Sequence, residues 1–63
     1  MYFMVEELRE DWHEIARTEA ERDGEAVAQV CRAAGMYRVR LPGTRIWRYF
    51  WLSVGGELER MDD

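Results

Sequence analysis

The 63-residue chain contains no lysine and only one cysteine, one histidine, one serine and one proline. Each scarcity excludes something. Cys31 has no partner for an internal disulfide, so a core this small has no covalent staple. With a single serine, a single histidine and a single cysteine there is little from which to assemble a nucleophile and its base. One His plus one Cys also falls short of the three or four ligands that zinc requires. Gly55-Gly56 is too short for a phosphate loop and follows a strand pattern rather than preceding a helix, and no segment resembles an EF-hand loop. The most apolar stretch, Ile46 to Val54, is interrupted by Arg48 and is far shorter than the ~20 residues of a membrane span. No basic n-region, apolar h-region and cleavage site open the chain. The expectation is a cytoplasmic, non-catalytic protein with no cofactor, no metal and no membrane partner. At this length a chain buries only ~60% of the surface it exposes when unfolded, so residues 1–63 make one marginal domain. Docking on a partner is then an attractive source of extra stability.

What is present is charge, unevenly distributed. Thirteen acids face nine arginines, a net charge of −4, while 48% of the residues are hydrophobic and 13% aromatic, too apolar for disorder. Residues 1–35 hold nine acids and four arginines, residues 36–54 four arginines and no acid, and residues 55–63 four acids and one arginine. An acidic first half and a basic middle section organise the chain.

Periodicity assigns the elements. Val5, Leu8, Trp12, Ile15 and Ala16 recur at three- and four-residue steps, which predicts an amphipathic helix over 4–22 with Trp12 facing the core. Tyr2 and Phe3 read either as its frayed start or as a short strand. Val27, Val30, Cys31 and Ala34 predict a second helix, with Asp23 as N-cap and Gly35 just past its end. The period then drops to two: Tyr37, Val39 and Leu41 alternate with Arg38 and Arg40, Pro42-Gly43 marks a turn, and Arg45 to Val54 reads as a second strand. Residues 57–61 suit a third strand or a last helical turn equally. The predicted fold class is α+β: an N-terminal αα-hairpin packed on a C-terminal antiparallel β-hairpin with room for a third strand.

Two constellations stand out. In the predicted hairpin one face carries Tyr37, Val39, Leu41, Ile46, Phe50, Leu52 and Val54 and packs on the helices, with Arg48 on the same side, within reach of an acid. The other face carries Arg38, Arg40, Arg45, Trp47, Tyr49 and Trp51. Tryptophan, tyrosine and arginine dominate interface energetics. They also stack bases and hold phosphates, or stack on one another as a self-contained cation–π layer. The second constellation is the acidic side of the predicted first helix: Glu6, Glu7, Glu10, Asp11, Glu14 and Glu21, with Glu7, Glu14 and Glu21 seven residues apart. On a helix these carboxylates would be spaced at intervals comparable to the phosphates of a nucleic acid, or would simply be a solvated face. His13 lies on the flank of that helix and Cys31 on the apolar side of the second, where a thiol is usually inert.

Three functions are compatible with this pattern. The first is a protein-binding module that acts as a decoy for a basic, nucleic-acid-handling partner, with the acidic helix as mimic and the aromatic sheet as anchor. The second is a single-stranded nucleic-acid binder that uses the arginine and aromatic face; duplex DNA is a poor ligand for a chain of net negative charge. The third is the subunit of a homodimer. In size, acidity and lack of a catalytic set the chain resembles the small inhibitors of phages and mobile elements, anti-CRISPR proteins among them, and small antitoxins. That likeness is one of type and rests on no motif.

Overall fold

The structure is a computed structural model that describes residues 1–61. Five strands and one helix follow one another: β1 (Tyr2–Leu8), β2 (Trp12–Glu19), α1 (Asp23–Val30), β3 (Gly35–Arg40), β4 (Trp47–Leu52) and β5 (Leu58–Arg60). They form one antiparallel sheet in the order β2-β1-β3-β4-β5. α1 carries the chain from the β2 edge across one face of the sheet to β3, on the far side of β1. The predicted αα-hairpin is therefore overturned: the segment 4–22 is mainly a β-hairpin, and the molecule is mostly sheet.

Hairpin geometry accounts for the misleading period. Leu8 and Trp12 are four apart because a three-residue connection separates them, and they lie directly opposite one another on β1 and β2. Ile15 lies between the pairs Val5↔Ala16 and Glu6↔Glu14, where the register shifts, so one residue of β2 is extra. A bulge of this kind reverses the side on which later residues point. Three-residue turn and bulge together turn a period of two into an apparent period near 3.6. Glutamate and arginine favour helix, and here packing overrides them. Beneath that pattern, Tyr2-Phe3-Met4-Val5 is a strand, with Phe3 and Val5 buried and Tyr2 exposed.

The core lies between α1 and the sheet. Phe3 and Val5 of β1, Tyr37 and Val39 of β3, and Phe50 and Leu52 of β4 point towards Ala26 and Val27 of α1, with Ala20 closing one end. Tyr37, Val39, Phe50 and Leu52 are on the side that the period of two assigns them, and Arg48 reaches Asp23 there, Nε to Oδ2 3.8 Å. The Pro42-Gly43 turn is present, closed by the Thr44 N–H on the Leu41 carbonyl at 3.1 Å, but the connection is longer than predicted. The Leu41 N–H bonds the Ile46 carbonyl at 3.0 Å and β4 begins only at Trp47; Ile46 is half-exposed, and Val54 projects into solvent from the next turn. β5 resolves residues 57–61 in favour of a strand, Leu58–Arg60.

The helix itself is shorter than predicted. Arg22, not Asp23, occupies the N-cap position, and Asp23 and Glu25 lie in the first turn, where acids oppose the helix dipole favourably. The last turn ends at Val30 because the following backbone is held by a side chain. The Tyr37 hydroxyl accepts the Arg32 N–H at 3.3 Å and donates towards the Ala33 carbonyl; Cys31 is extended and the chain bends at 33–34 before entering β3. Gly35 opens that strand at φ 146°, a conformation that side chains disfavour.

Two residues of β1 should therefore respond differently to truncation. Phe3→Ala removes a fully buried ring and should cost about 3–5 kcal/mol, close to the whole stability of a domain this size. Leu8→Ala, on the uncovered side and 38% exposed, should cost under about 1 kcal/mol. Thermal melts of the two variants check this, and equal losses would place Leu8 in a core.

Candidate functional site: the uncovered face of the sheet

α1 covers one face, and the alternation of each strand sends the remaining side chains to the other. The register aligns them in rows. Met4, Arg40 and Trp47 form one row, joined at the β2 edge by Arg17. Glu14, Glu6, Arg38 and Tyr49 form the next. Leu8 and Trp12, then Met36 and Trp51, and finally Glu59 on β5 form the third.

Arg38 holds the centre. Its Nε donates to Glu6 Oε1 at 2.7 Å and its Nη2 lies 2.6 Å from the same oxygen. Its guanidinium carbon stands 3.9 Å from the centre of the Trp47 ring and 4.5 Å from that of Trp12. Trp12 meets Tyr49 edge-on, ring centres 5.9 Å apart. The arrangement is a cation–π sandwich anchored by a largely buried carboxylate. It engages Arg38 on both ring-facing sides and through two of its nitrogens, which leaves that guanidinium a poor ligand for phosphate. Trp12, expected between helix and sheet, is instead part of this layer.

The other sheet residues singled out in the sequence are distributed around the sandwich. Trp51 shares the face and is 43% exposed, Arg40 is exposed at the opposite end, and Arg45 lies in the β3–β4 connection rather than in a strand. The acidic set is broken up, because the helix that would have aligned it is absent. Glu6 is engaged with Arg38. Glu7 turns to the helix side, where Arg9 Nε approaches it at 2.9 Å. Glu10 and Asp11 form the β1–β2 turn, Glu14 pairs with Arg17 on the β2 edge, and Glu21 lies between β2 and α1. No ladder of carboxylates at a seven-residue repeat exists. His13 is exposed on β2, and Cys31 is half-buried just after α1.

Leu8, Met36, Glu57 and Glu59 were missed by the sequence reading. Leu8, Trp12, Met36 and Trp51 make an apolar band across four strands, with Glu10 and Asp11 at one end and Glu57 and Glu59 at the other. Met36 could have been found, since it keeps the alternation of Arg38 and Arg40. Leu8 could not, because Arg9-Glu10-Asp11 contains none of the glycine, proline or asparagine that usually announce a turn.

On the helix side a groove of about 390 Å³ opens beside Tyr37, lined by Glu7, Ile15, Val30 and Arg32 among others. Burial pushes the Tyr37 phenol up from 10.0, with the Glu7 carboxylate acting in the same direction and the bond from Arg32 N–H opposing it. Glu7 Oε2 lies 3.3 Å from the hydroxyl. The lining residues include no serine, threonine, histidine or cysteine. Among the described residues no three His, Cys, Asp or Glu side chains cluster as a metal set, and no helix is long and apolar enough to cross a membrane. No family model, no curated protein and no solved structure matches the chain.

Two variants probe these environments. Arg38→Ala strands Glu6 in a largely buried position and removes the cation between two tryptophans, which should cost about 2–3 kcal/mol and change tryptophan fluorescence. For Tyr37 the folded-state pKa lies above the unfolded one, so the folded chain binds the extra proton. The associated stability is complete below pH 10 and is lost as pH rises through the folded value. Denaturant midpoints measured above pH 10 should fall more steeply for the native sequence than for Tyr37→Phe. Parallel curves would mean that Tyr37 does not carry the alkaline loss.

Proposed function

We propose that the chain is a small non-catalytic protein-binding module that engages a partner with a basic surface through the uncovered face of its sheet. The observation that carries this reading is the apolar band of Leu8, Trp12, Met36 and Trp51 flanked by Glu10, Asp11, Glu57 and Glu59. A half-exposed tryptophan beside flat apolar neighbours is a typical anchor for a contact surface. Exposed acids at its margin favour basic partners and speed their approach. Nucleic-acid-handling proteins are one class with such surfaces, and blocking one is the activity that this charge and size suit best.

Nucleic acid itself is a poorer occupant. Arg38 is committed to Glu6 and two rings, and Glu6, Glu14 and Glu59 share the face that a phosphate backbone would have to follow. A decoy built on one acidic helix is no longer part of the reading, since that segment is a β-hairpin.

Co-purification from the native host with the chain as bait tests the proposal. One basic protein should be retained by the native sequence and lost by Trp51→Glu, while melting temperature changes little because Trp51 is already 43% exposed. Retention should weaken as salt rises, because exposed charges are screened over ~8 Å at physiological ionic strength. Capture that survives Trp51→Glu unchanged would show that this face is not the binding surface.

A further inference from the structure

The same face is polar along the strands as well as banded across them. At one end lie Glu10, Asp11, Glu57 and Glu59, in or beside the β1–β2 and β4–β5 turns. Arg9 in the first turn is already matched by Glu7. At the other end lie Arg40 and Arg45, with Arg17 and Glu19 at the β2 corner. Trp47 and Met4 accompany the basic end and Trp51, Met36 and Leu8 the acidic end, with the internally matched Arg38–Glu6 pair between.

A surface with this pattern is complementary to itself. We infer that the uncovered face packs against the same face of a second copy about a two-fold axis, so that each copy's acidic end lies over the other's basic end. The inference rests on the reading of this face as the binding surface: in a chain without a host partner, the basic patch that the acidic end meets is that of another molecule of this chain. In a two-fold contact each favourable pairing occurs twice. The central Arg38–Glu6 pairs need no partner across the interface, so they can be covered without leaving a charge unmatched.

Size is compatible with such a contact. Five strands ~4.8 Å apart and six residues long at ~3.3 Å each give a face of roughly 24 × 20 Å. Two of them bury about 1,000 Å², the lower end of specific interfaces, so the dimer should be reversible, with Kd of micromolar order. Lateral pairing of sheet edges is the competing arrangement. β5 has three residues, and the β2 edge carries a bulge and the charged side chains Glu14, Arg17 and Glu19, features that discourage strand addition.

Sedimentation equilibrium across ~1 μM to ~1 mM tests the inference. The native sequence should pass from monomer to dimer, and Trp51→Glu should raise Kd at least about tenfold. Two charge variants give a sharper reading. Arg40→Glu with Arg45→Glu makes both ends acidic, and Glu57→Arg with Glu59→Arg cancels the charge of the acidic end and leaves the other end basic. Each alone should be monomeric, and an equimolar mixture of the two should form a heterodimer. A native sequence monomeric at all concentrations overturns the inference, as do dimers that persist in Trp51→Glu or in each charge variant alone. Loss of host-protein capture in Trp51→Glu together with a monomeric native chain would reject only the second copy as partner. Capture and dimerisation both unaffected by Trp51→Glu would reject the face itself.

Discussion

The guanidinium of Arg38 lies between the rings of Trp12 and Trp47 while two of its nitrogens hold one oxygen of Glu6. Trp12 comes from β2, Glu6 from β1, Arg38 from β3 and Trp47 from β4. One side chain thus ties four of the five strands together on the side that α1 does not cover. Such a layer can exist on an uncovered face because it is partly self-sufficient: the cation is matched by a carboxylate and shielded by rings, and the rings use the cation in place of a hydrophobic neighbour. The like-charged pairing of Glu6 with Glu14 across β1 and β2 is tolerated for the same reason, since Glu6 faces Arg38 on its other side and Glu14 is taken up by Arg17.

The layer also decides which functions the face can serve. Engaged arginine is a poor phosphate ligand, so a surface that reads in sequence as an alternation of aromatics and arginines loses its most central cation to internal packing. What remains accessible is apolar and acidic at one end and basic at the other. That division suits contact between proteins. Its self-complementary pattern is what makes a second copy a chemically reasonable occupant.

The opposite face shows how a short helix can be enough. α1 has eight residues, and helices of that length are not stable alone. It is held by Ala26 and Val27 against Val5, Tyr37 and Val39, by Arg48 reaching Asp23, and by the Thr18 hydroxyl bonded to Gln29 at 2.6 Å. Tyr37 closes the arrangement from below by taking the backbone of residues 32–33 as its hydrogen-bond partners. A buried phenol on the central strand therefore sets where the helix stops and where the next strand begins.

Much of the C-terminal half was legible because its period of two is uninterrupted: Tyr37, Val39, Phe50 and Leu52 inward, Arg38, Arg40, Trp47, Tyr49 and Trp51 outward, follow from alternation alone. The helix at 23–30 was legible in existence, though its end was not, because a residue seven positions later terminates it. The N-terminal half was misread for a definite reason. A turn of three residues without turn-forming side chains, followed by a bulge at Ile15, gives Val5, Leu8, Trp12 and Ile15 the spacing of a helix while placing them on two different sides of a sheet. Local sequence determined the charge distribution and the faces of β3 and β4. Only tertiary pairing decided that the acidic segment is a hairpin and that Trp12 belongs with Arg38. It alone brought Leu8, Met36 and Trp51 together, because contacts between strands distant in the chain are set by register, which no single segment encodes.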